Sequence, residues 1–243
     1  MSSVPVSAEP EAVLFDLDGT LLDTAPDMIR ALNELCAEED VHGVAYDHAR
    51  CFVSNGAVGL LRLAFPDFDP LRNPALHRRY LERYADNLAR ETRLFPHFDI
   101  LLNMLEQAAV PWGVVTNKPG HLTEPLMAAM GLSRRSACTV SGDTLPVAAR
   151  ASGPSMAPMP PLPERKPHPR PILFALETIG ANPAQSIYVG DARRDIEAGR
   201  AAGTTTVAAL YGYVEPGQNP ADWDADHVVS TPLDLIALLE RRL

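Results

Sequence analysis

Two aspartates one residue apart, Asp16 and Asp18, directly follow a short apolar run. The next two residues are Gly19 and Thr20. The apolar run, residues 12–15, predicts a buried strand of a parallel sheet. In open α/β sheets, ligands bind just beyond the carboxyl ends of the strands. The pattern therefore predicts a loop in which side chains and backbone N–H groups converge on a small anion.

Polar residues of the same kind occur at other predicted element ends. Thr116 and Asn117 end a second apolar run, and Lys166 stands just before a helical pattern. Asp191 follows a third apolar run, with Asp195 four residues later. Because the carboxyl ends of parallel strands meet at one edge of a sheet, we expect these side chains to lie together.

Carboxylates grouped in this way indicate a metal site that handles phosphate. They repel one another, which raises a pKa or requires a cation, and Mg²⁺ suits oxygen ligands beside a phosphate. Asp16 can then be both a ligand and a nucleophile, because an ionised carboxylate can attack phosphorus. Thr116 and Asn117 can hydrogen-bond phosphate oxygens, and Lys166 can neutralise their charge. The predicted chemistry is phosphoryl transfer.

The overall composition is that of an acidic globular protein. The 243 residues carry a formal net charge of −10, which disfavours nucleic acid or an anionic membrane as a partner. No apolar run is long enough to span a membrane. The three cysteines are widely spaced, which favours reduced thiols. Residues 1–11 lack a signal-peptide pattern, so we expect a cytoplasmic protein.

Strand and helix patterns alternate along most of the chain, which predicts an α/β fold with a doubly wound parallel sheet. Residues 23–92 show only helical spacing and are too long for an ordinary connection. We predict that they form a separate helical cap domain, with Thr24 capping its first helix, and that 1–22 and 93–243 form the core. Residues 147–163 are Pro-rich and aperiodic, which predicts a mobile surface loop inserted in the core.

The ordered motifs D-x-D-G-T, T-N-K, K-P and G-D-x-x-x-D resemble those of the haloacid dehalogenase superfamily. The resemblance is to its phosphoglycolate-phosphatase-like branch, which carries a helical cap. It implies that Asp16 forms an aspartyl phosphate and that Lys166 bridges the phosphate and Asp16. It implies that Asp18 protonates the leaving oxygen and then activates water. It also implies Mg²⁺ on Asp16, the carbonyl of Asp18 and Asp191, with Asp195 in support.

The resemblance also assigns a role to the cap. Closure of the cap over the core would exclude water from the reaction. Residues 54–59 would present a specificity loop, in which we expect Asn55 and Gly56 to contact the substrate, with Arg62 nearby.

The substrate implied by this branch is a small phosphorylated metabolite, with 2-phosphoglycolate favoured. Residues 23–27, 53–56 and 210–213 are also similar to relatives that dephosphorylate N-acetylmuramic acid 6-phosphate in peptidoglycan recycling. A phosphomutase of the superfamily shares every core motif and stays an alternative. Monomer and homodimer are both left open.

Two other classes are disfavoured by the sequence. Dehalogenases of the superfamily lack an acid at the position of Asp18 and do not use Mg²⁺. Phospho-acceptor receiver domains combine an acidic cluster, a Thr and a Lys on a doubly wound sheet, but they are far shorter and have no inserted helical cap.

Overall fold

The computed structural model describes residues 9–145 and 164–243. The predicted loop 147–163 therefore lies outside the described residues. The strands of the described residues are β1 (Ala12–Phe15), β2 (Leu22–Asp23), β3 (Arg93–Leu94), β4 (Trp112–Val115), β5 (Cys138–Val140), β6 (Ser186–Gly190), β7 (Thr205–Ala209) and β8 (His227–Val229).

Within the described part of the chain, six of these strands form one sheet in the order β5-β4-β1-β6-β7-β8. All neighbouring pairs of this sheet are parallel. Strand β1 lies between β4 and β6, and every residue of these three strands is buried. Buried apolar strands of this kind are typical of parallel sheets that are covered on both faces. The order places the loops after β4, β1 and β6 side by side.

The helices of the described residues are α1 (Ala25–Glu38), α2 (Tyr46–Arg50), α3 (Gly56–Ala64), α4 (Pro74–Asp86), α5 (Phe98–Gln107), α6 (Gly120–Ala129), α7 (Arg170–Ile179), α8 (Arg193–Ala202) and α9 (Pro232–Glu240).

Alternate residues of β1 enter two different apolar clusters. Val13 and Phe15 pack in the larger cluster, whereas Leu14 packs in a second one that contains Ile172 and Leu176 of α7. Because successive strand residues point to opposite faces, the sheet has apolar packing on both sides.

Helices α1 to α4 lie between β2 and β3, which pair antiparallel with each other. We call residues 24–92 the helical insertion. Its two ends are joined by the fully buried carboxylate of Asp27 near the start of α1, which accepts hydrogen bonds from the backbone N–H groups of Glu91 and Thr92. The hydroxyl of Thr92 also donates to Asp27, at 2.7 Å. The two segments that connect the helical insertion to the sheet are therefore held together.

The α/β fold class predicted from the sequence is confirmed by the parallel sheet and its flanking helices. The division into a core and a cap domain stays a prediction. None of the helices in the described residues combines the length and the apolar character that a membrane span needs.

Candidate active site

The predicted site residues converge at one edge of the sheet. Asp16 and Thr116 directly follow β1 and β4, and Asp191 directly follows β6. Since β1 lies between β4 and β6, Asp16 lies between Thr116 and Asp191 at this edge. Lys166 approaches from the segment before α7, 150 residues away from Asp16 in the chain. The expectation that these residues meet at one edge agrees with this geometry.

Lys166 holds two of the carboxylates. Its ammonium group lies 2.7 Å from Oδ1 of Asp16 and 2.7 Å from Oδ1 of Asp195, and it donates to the hydroxyl of Tyr188 at 2.8 Å. The Lys166 side chain is fully buried, and a buried ammonium is stable only when it is paired and hydrogen-bonded. One lysine thus links the predicted nucleophile to α8.

The carboxylates of Asp16, Asp191 and Asp195 offer oxygen atoms that lie within 4.8 Å of one another. Burial and then the neighbouring Asp195 raise the pKa of Asp16 to about 6, although Lys166 acts in the opposite direction. Burial followed by the charges of Asp16 and Asp195 raises the pKa of Asp191 to about 7. Both shifts have the sign expected of buried like charges that a single lysine does not balance.

One carboxylate oxygen of Asp191 accepts two hydrogen bonds, and the other has no partner among the described residues. Oδ2 accepts hydrogen bonds from the hydroxyl of Ser54 at 2.7 Å and from the backbone N–H of Tyr213 at 2.8 Å. Oδ1 is buried and has no partner among the described residues. A Cβ at Gly19 would lie 2.1 Å from Oδ2, so only glycine fits there, at a φ of +89°. Buried oxygens with a free lone pair fit a hard divalent cation such as Mg²⁺.

Asp18 is held through one oxygen by two partners from different elements. Its Oδ1 accepts from the hydroxyl of Thr24 at 2.7 Å and lies 2.9 Å from the ammonium group of Lys118. That ammonium group also lies 4.5 Å from the ring centroid of Tyr84 on α4. Thr24 is the N-cap residue of α1, as the sequence predicts, but its hydroxyl donates to Asp18 and makes no capping hydrogen bond to the backbone of α1.

Thr116 and Asn117, the predicted phosphate-binding residues, also have local partners. The Thr116 hydroxyl accepts from the backbone N–H of Lys118 at 3.2 Å. The Asn117 amide donates to the carbonyl of Lys166 at 2.8 Å, while its Oδ1 is buried without a partner among the described residues. The Asn117 side chain therefore fixes the segment that carries Lys166, a contact that the sequence did not predict.

A cavity of about 650 Å³ lies between this edge of the sheet and the helical insertion. We call its sheet side the core wall, which includes Asp16, Asp18, Thr116, Asn117, Lys118 and Lys166. We call the opposite side the insertion wall, which includes Met28, Asn55, Gly56, Val58, His77, Tyr80, Leu81 and Tyr84. The core wall is polar and charged, and the insertion wall is largely apolar and aromatic.

The insertion wall contains some predicted residues and omits another. Asn55 and Gly56 line the cavity, whereas Arg62 is exposed on α3 and is not among the lining residues. The face of α4 formed by His77, Tyr80, Leu81 and Tyr84 also lines the cavity, and none of these residues was predicted as part of the site. The signal was present as helical i, i+3, i+4, i+7 spacing, but such a stripe equally predicts a core-facing helix. The polar His77 within the stripe is the one feature that favours a cavity-lining face over a core-facing one.

Arg194 is a further site residue that was not predicted from the sequence. It lines the cavity, and its guanidinium group donates to the carbonyl of Ser54 at 2.7 Å. Burial opposes its charge, but Asp195 and then Asp16 raise the pKa of Arg194. It adds a second fixed positive charge beside the carboxylates.

Comparison with known proteins agrees with this geometry. Residues 10–203 match the family model of haloacid dehalogenase-like hydrolases. A phosphoglycolate phosphatase of Xanthomonas campestris pv. campestris is 41% identical over 226 residues, which cover 93% of this chain and 95% of that protein. An N-acetylmuramic acid 6-phosphate phosphatase of Pseudomonas putida is 40% identical over 235 residues, which cover 96% of this chain and 97% of that protein.

Solved structures give the same fold. A predicted phosphoglycolate phosphatase from Haemophilus somnus matches with a TM-score of 0.77 and 24% identity, covering 94% of this chain and 97% of that one. At this identity the match supports the fold alone. The family resemblance drawn from the four motifs is confirmed by the family model and by the relatives: the chain belongs to the haloacid dehalogenase-like hydrolase family.

Proposed function

We propose that this protein is a Mg²⁺-dependent phosphatase that hydrolyses a small phosphomonoester through a phospho-aspartate on Asp16. The observation that carries the proposal is the pairing of two aspartates on one cavity wall with different partners. Asp16 is held by Lys166 and Asp18 by Lys118 and Thr24, and both aspartates line the cavity of about 650 Å³. Two carboxyl groups with different surroundings can perform two different tasks.

Asp16 acts as the nucleophile in the first half of the reaction. Lys166 donates to its Oδ1, which orients the carboxylate and leaves Oδ2 for attack on phosphorus. A bond forms between Oδ2 and phosphorus while the bond from phosphorus to the leaving oxygen breaks. Thr116 and Asn117 lie at the same wall, where their polar groups can hold the phosphoryl oxygens.

Asp18 acts as the proton carrier. Thr24 and Lys118 occupy its Oδ1, so Oδ2 is the oxygen that can give a proton to the leaving group. In the second half of the reaction the same group takes a proton from the water that attacks the phospho-aspartate. Acid–base catalysis of this kind contributes roughly 10²–10⁴-fold to a rate.

The residues that would hold Mg²⁺ are Asp16, Asp191 and the backbone carbonyl of Asp18, with Asp195 as a neighbour that positions Lys166. When bound, the cation supplies positive charge that stabilises the phosphoryl group as negative charge develops on it. The insertion wall faces these groups across the cavity and can exclude bulk water during the reaction.

The substrate proposed from the sequence is 2-phosphoglycolate, and the Xanthomonas relative carries that activity in its name. The cavity favours a second candidate, N-acetylmuramic acid 6-phosphate, which is named for the Pseudomonas relative. Pockets for drug-sized molecules have volumes of about 300–1,000 Å³, and this one has about 650 Å³. A two-carbon phosphate would leave most of that space empty, whereas an amino sugar with its acetyl and lactyl groups would fill far more of it.

The apolar lining supports the larger substrate as well. Val58, His77 and Leu81 line the cavity and are only partly buried, so they present apolar and aromatic surface to it. Sugar rings pack their C–H faces against such surfaces, and a small dianion gains nothing from them. We therefore propose the amino sugar phosphate as the better of the two substrates.

The experiment is a comparison of kcat/KM on both phosphoesters with the purified protein, in Mg²⁺ and in EDTA. We expect release of inorganic phosphate only with Mg²⁺, and a kcat/KM at least tenfold higher for N-acetylmuramic acid 6-phosphate. A higher value for 2-phosphoglycolate would reverse the substrate assignment. An isomerised sugar phosphate without phosphate release would identify a phosphomutase instead.

A further inference from the structure

Ser54 reaches from the helical insertion to a carboxylate at the edge of the sheet. It lies in the helical turn Val53–Asn55, before α3. Its hydroxyl donates to Oδ2 of Asp191 at 2.7 Å, over a separation of 137 residues in the chain. A side chain of the insertion thus contacts one of the residues proposed to hold Mg²⁺.

The hydrogen bond from Ser54 helps to fix the orientation of the Asp191 carboxylate. Oδ2 receives two donors, the Ser54 hydroxyl and the backbone N–H of Tyr213 at 2.8 Å. Oδ1 is buried and has no partner in the described part of the chain. Two donors on one oxygen fix the rotation of the carboxylate and leave Oδ1 as the oxygen available to a cation. Asp16 and Asp195 each offer a carboxylate oxygen within 4.8 Å of one from Asp191.

Ser54 is itself fixed by the sheet side of the molecule. The guanidinium group of Arg194 donates to its backbone carbonyl at 2.7 Å. On α2 of the insertion, Arg50 donates to the carbonyl of Gly212 at 3.1 Å, next to the residue whose N–H binds Asp191. The contact at Ser54 therefore belongs to a set of polar bonds that exists only while the insertion rests against the core.

We propose that Ser54 is a positioning residue that couples the docking of the helical insertion to the affinity of Asp191 for Mg²⁺. The inference rests on the proposed Mg²⁺ site. When the insertion is docked, Asp191 is held in the orientation that a cation requires. When it is undocked, the carboxylate loses one of its two orienting donors and can rotate.

The coupling must act in both directions. If docking raises the affinity for Mg²⁺ by some factor, Mg²⁺ favours docking by the same factor. Partners of metal ligands that orient them typically contribute 10–100-fold to metal affinity. The cation would thereby help to assemble the insertion wall of the cavity before the substrate reacts.

The test is to measure the Kd for Mg²⁺ by isothermal titration calorimetry, with the full-length metal-free protein and without substrate. Ser54→Ala removes the donor, and we expect its Kd for Mg²⁺ to rise about tenfold, equivalent to about 1.4 kcal/mol. Ser54→Thr and Ser54→Val form a matched pair of nearly equal shape that differ in the hydroxyl. We expect the Thr variant to bind Mg²⁺ about tenfold more tightly than the Val variant. This pair keeps the test valid if Ser54→Ala does not fold.

Glu215→Ala provides the control for a contact that does not touch the metal site. Glu215 accepts from the amide of Asn55 at 3.3 Å, so the variant breaks a neighbouring bond between insertion and core while leaving Asp191 untouched. We expect its Kd for Mg²⁺ to stay within twofold of wild type. A tenfold rise here would reject the special role of Ser54 in favour of general loosening of the insertion.

Asp191→Asn separates failure of this inference from failure of the proposed function. If Asp191→Asn abolishes Mg²⁺ binding but Ser54→Ala binds within twofold of wild type, the coupling is wrong and the metal site stands. A small cavity of about 70 Å³ beside Ser54 could produce that result, because a water there can replace the hydroxyl. If wild type and Asp191→Asn bind Mg²⁺ equally, the proposed site and the coupling both fail.

Discussion

The two walls of the cavity differ in how their residues are fixed. On the core wall, Asp16 and Lys166 are buried ion-pair partners whose positions follow from adjacent strands and one hydrogen-bond network. On the insertion wall, Tyr80 and Tyr84 of α4 are held mainly by apolar packing. The Tyr80 hydroxyl donates to the carbonyl of Met28 at 3.2 Å, and the Tyr84 hydroxyl has no partner among the described residues. This contrast fits the proposed function, in which the core wall meets the phosphate and the insertion wall meets the organic part of the substrate.

This difference predicts two kinds of mutational effect. Because a change in the core wall alters groups that we propose to meet the phosphate, it should lower activity on every phosphoester. Changes in the insertion wall should alter the ratio between substrates, because specificity is a difference in contacts outside the reacting group.

The largest effect is expected for Asp16→Asn, which replaces the carboxylate of the proposed nucleophile by an amide. We expect a loss on the order of 10⁴-fold or more in kcat on both sugar and aryl phosphates. Lys166 can still donate to the amide oxygen, so the fold should be retained, which a thermal melt can check. Activity within twofold of wild type would overturn the assignment of Asp16.

A smaller loss is expected for Asp18→Asn, roughly 10²–10⁴-fold on an alkyl phosphate. An aryl phosphate has a good leaving group that needs little protonation, so its bond cleavage should be impaired far less. Rapid-quench measurement of the first turnover separates that step from hydrolysis of the phospho-aspartate. An equal loss of first-turnover rate on both substrates would contradict the role of Asp18 as the acid.

A change in preference without general loss is expected for His77→Ala on the insertion wall. We expect the ratio of kcat/KM between the amino sugar phosphate and an aryl phosphate to change about tenfold. Arg78→Ala is the matched control, because Arg78 is the next residue on α4 and is largely exposed, away from the cavity. Equal losses on both substrates would show that His77 serves folding or the core wall.

The smallest effect concerns the metal-free protein and its dependence on pH. The pKa values of Asp16 and Asp191 are raised from 3.8 to about 6 and about 7. A raised pKa in the folded state stabilises the fold below about pH 4, and this contribution is lost as the pH rises through 6 and 7.

We therefore expect the Tm in EDTA to fall between pH 5 and pH 8. Asp191→Asn should show a flatter dependence, because one of the two groups no longer titrates. A steeper dependence in that variant would contradict the charge repulsion described for the core wall.

Much of the core wall could be predicted from the sequence, because its chemistry is encoded locally. Asp16 and Asp18 follow a buried strand at fixed spacing, and parallel strands bring such loops to a common edge. The α/β fold class could be predicted as well, because strand and helix patterns alternate along most of the chain.

The hydrogen-bond and ion-pair partners that reach the site aspartates from distant segments could not be predicted, because only the tertiary structure brings them together. Thr24 is the N-cap residue of α1, but whether its hydroxyl bonds the helix backbone or Asp18 depends on where α1 lies relative to β1, which no local pattern specifies. The same holds for the hydrogen bond from Ser54 to Asp191. It also holds for Lys118, whose ammonium group pairs with Asp18 and lies over the ring of Tyr84.

The insertion wall was the least predictable part of the molecule. Arg62 has the charge expected of a specificity residue, but the rotation of α3 leaves it exposed, whereas His77 faces the cavity from α4. An apolar stripe on a helix specifies only that one face is covered. Whether it is covered by protein or faces a substrate cavity depends on how the insertion packs against the sheet.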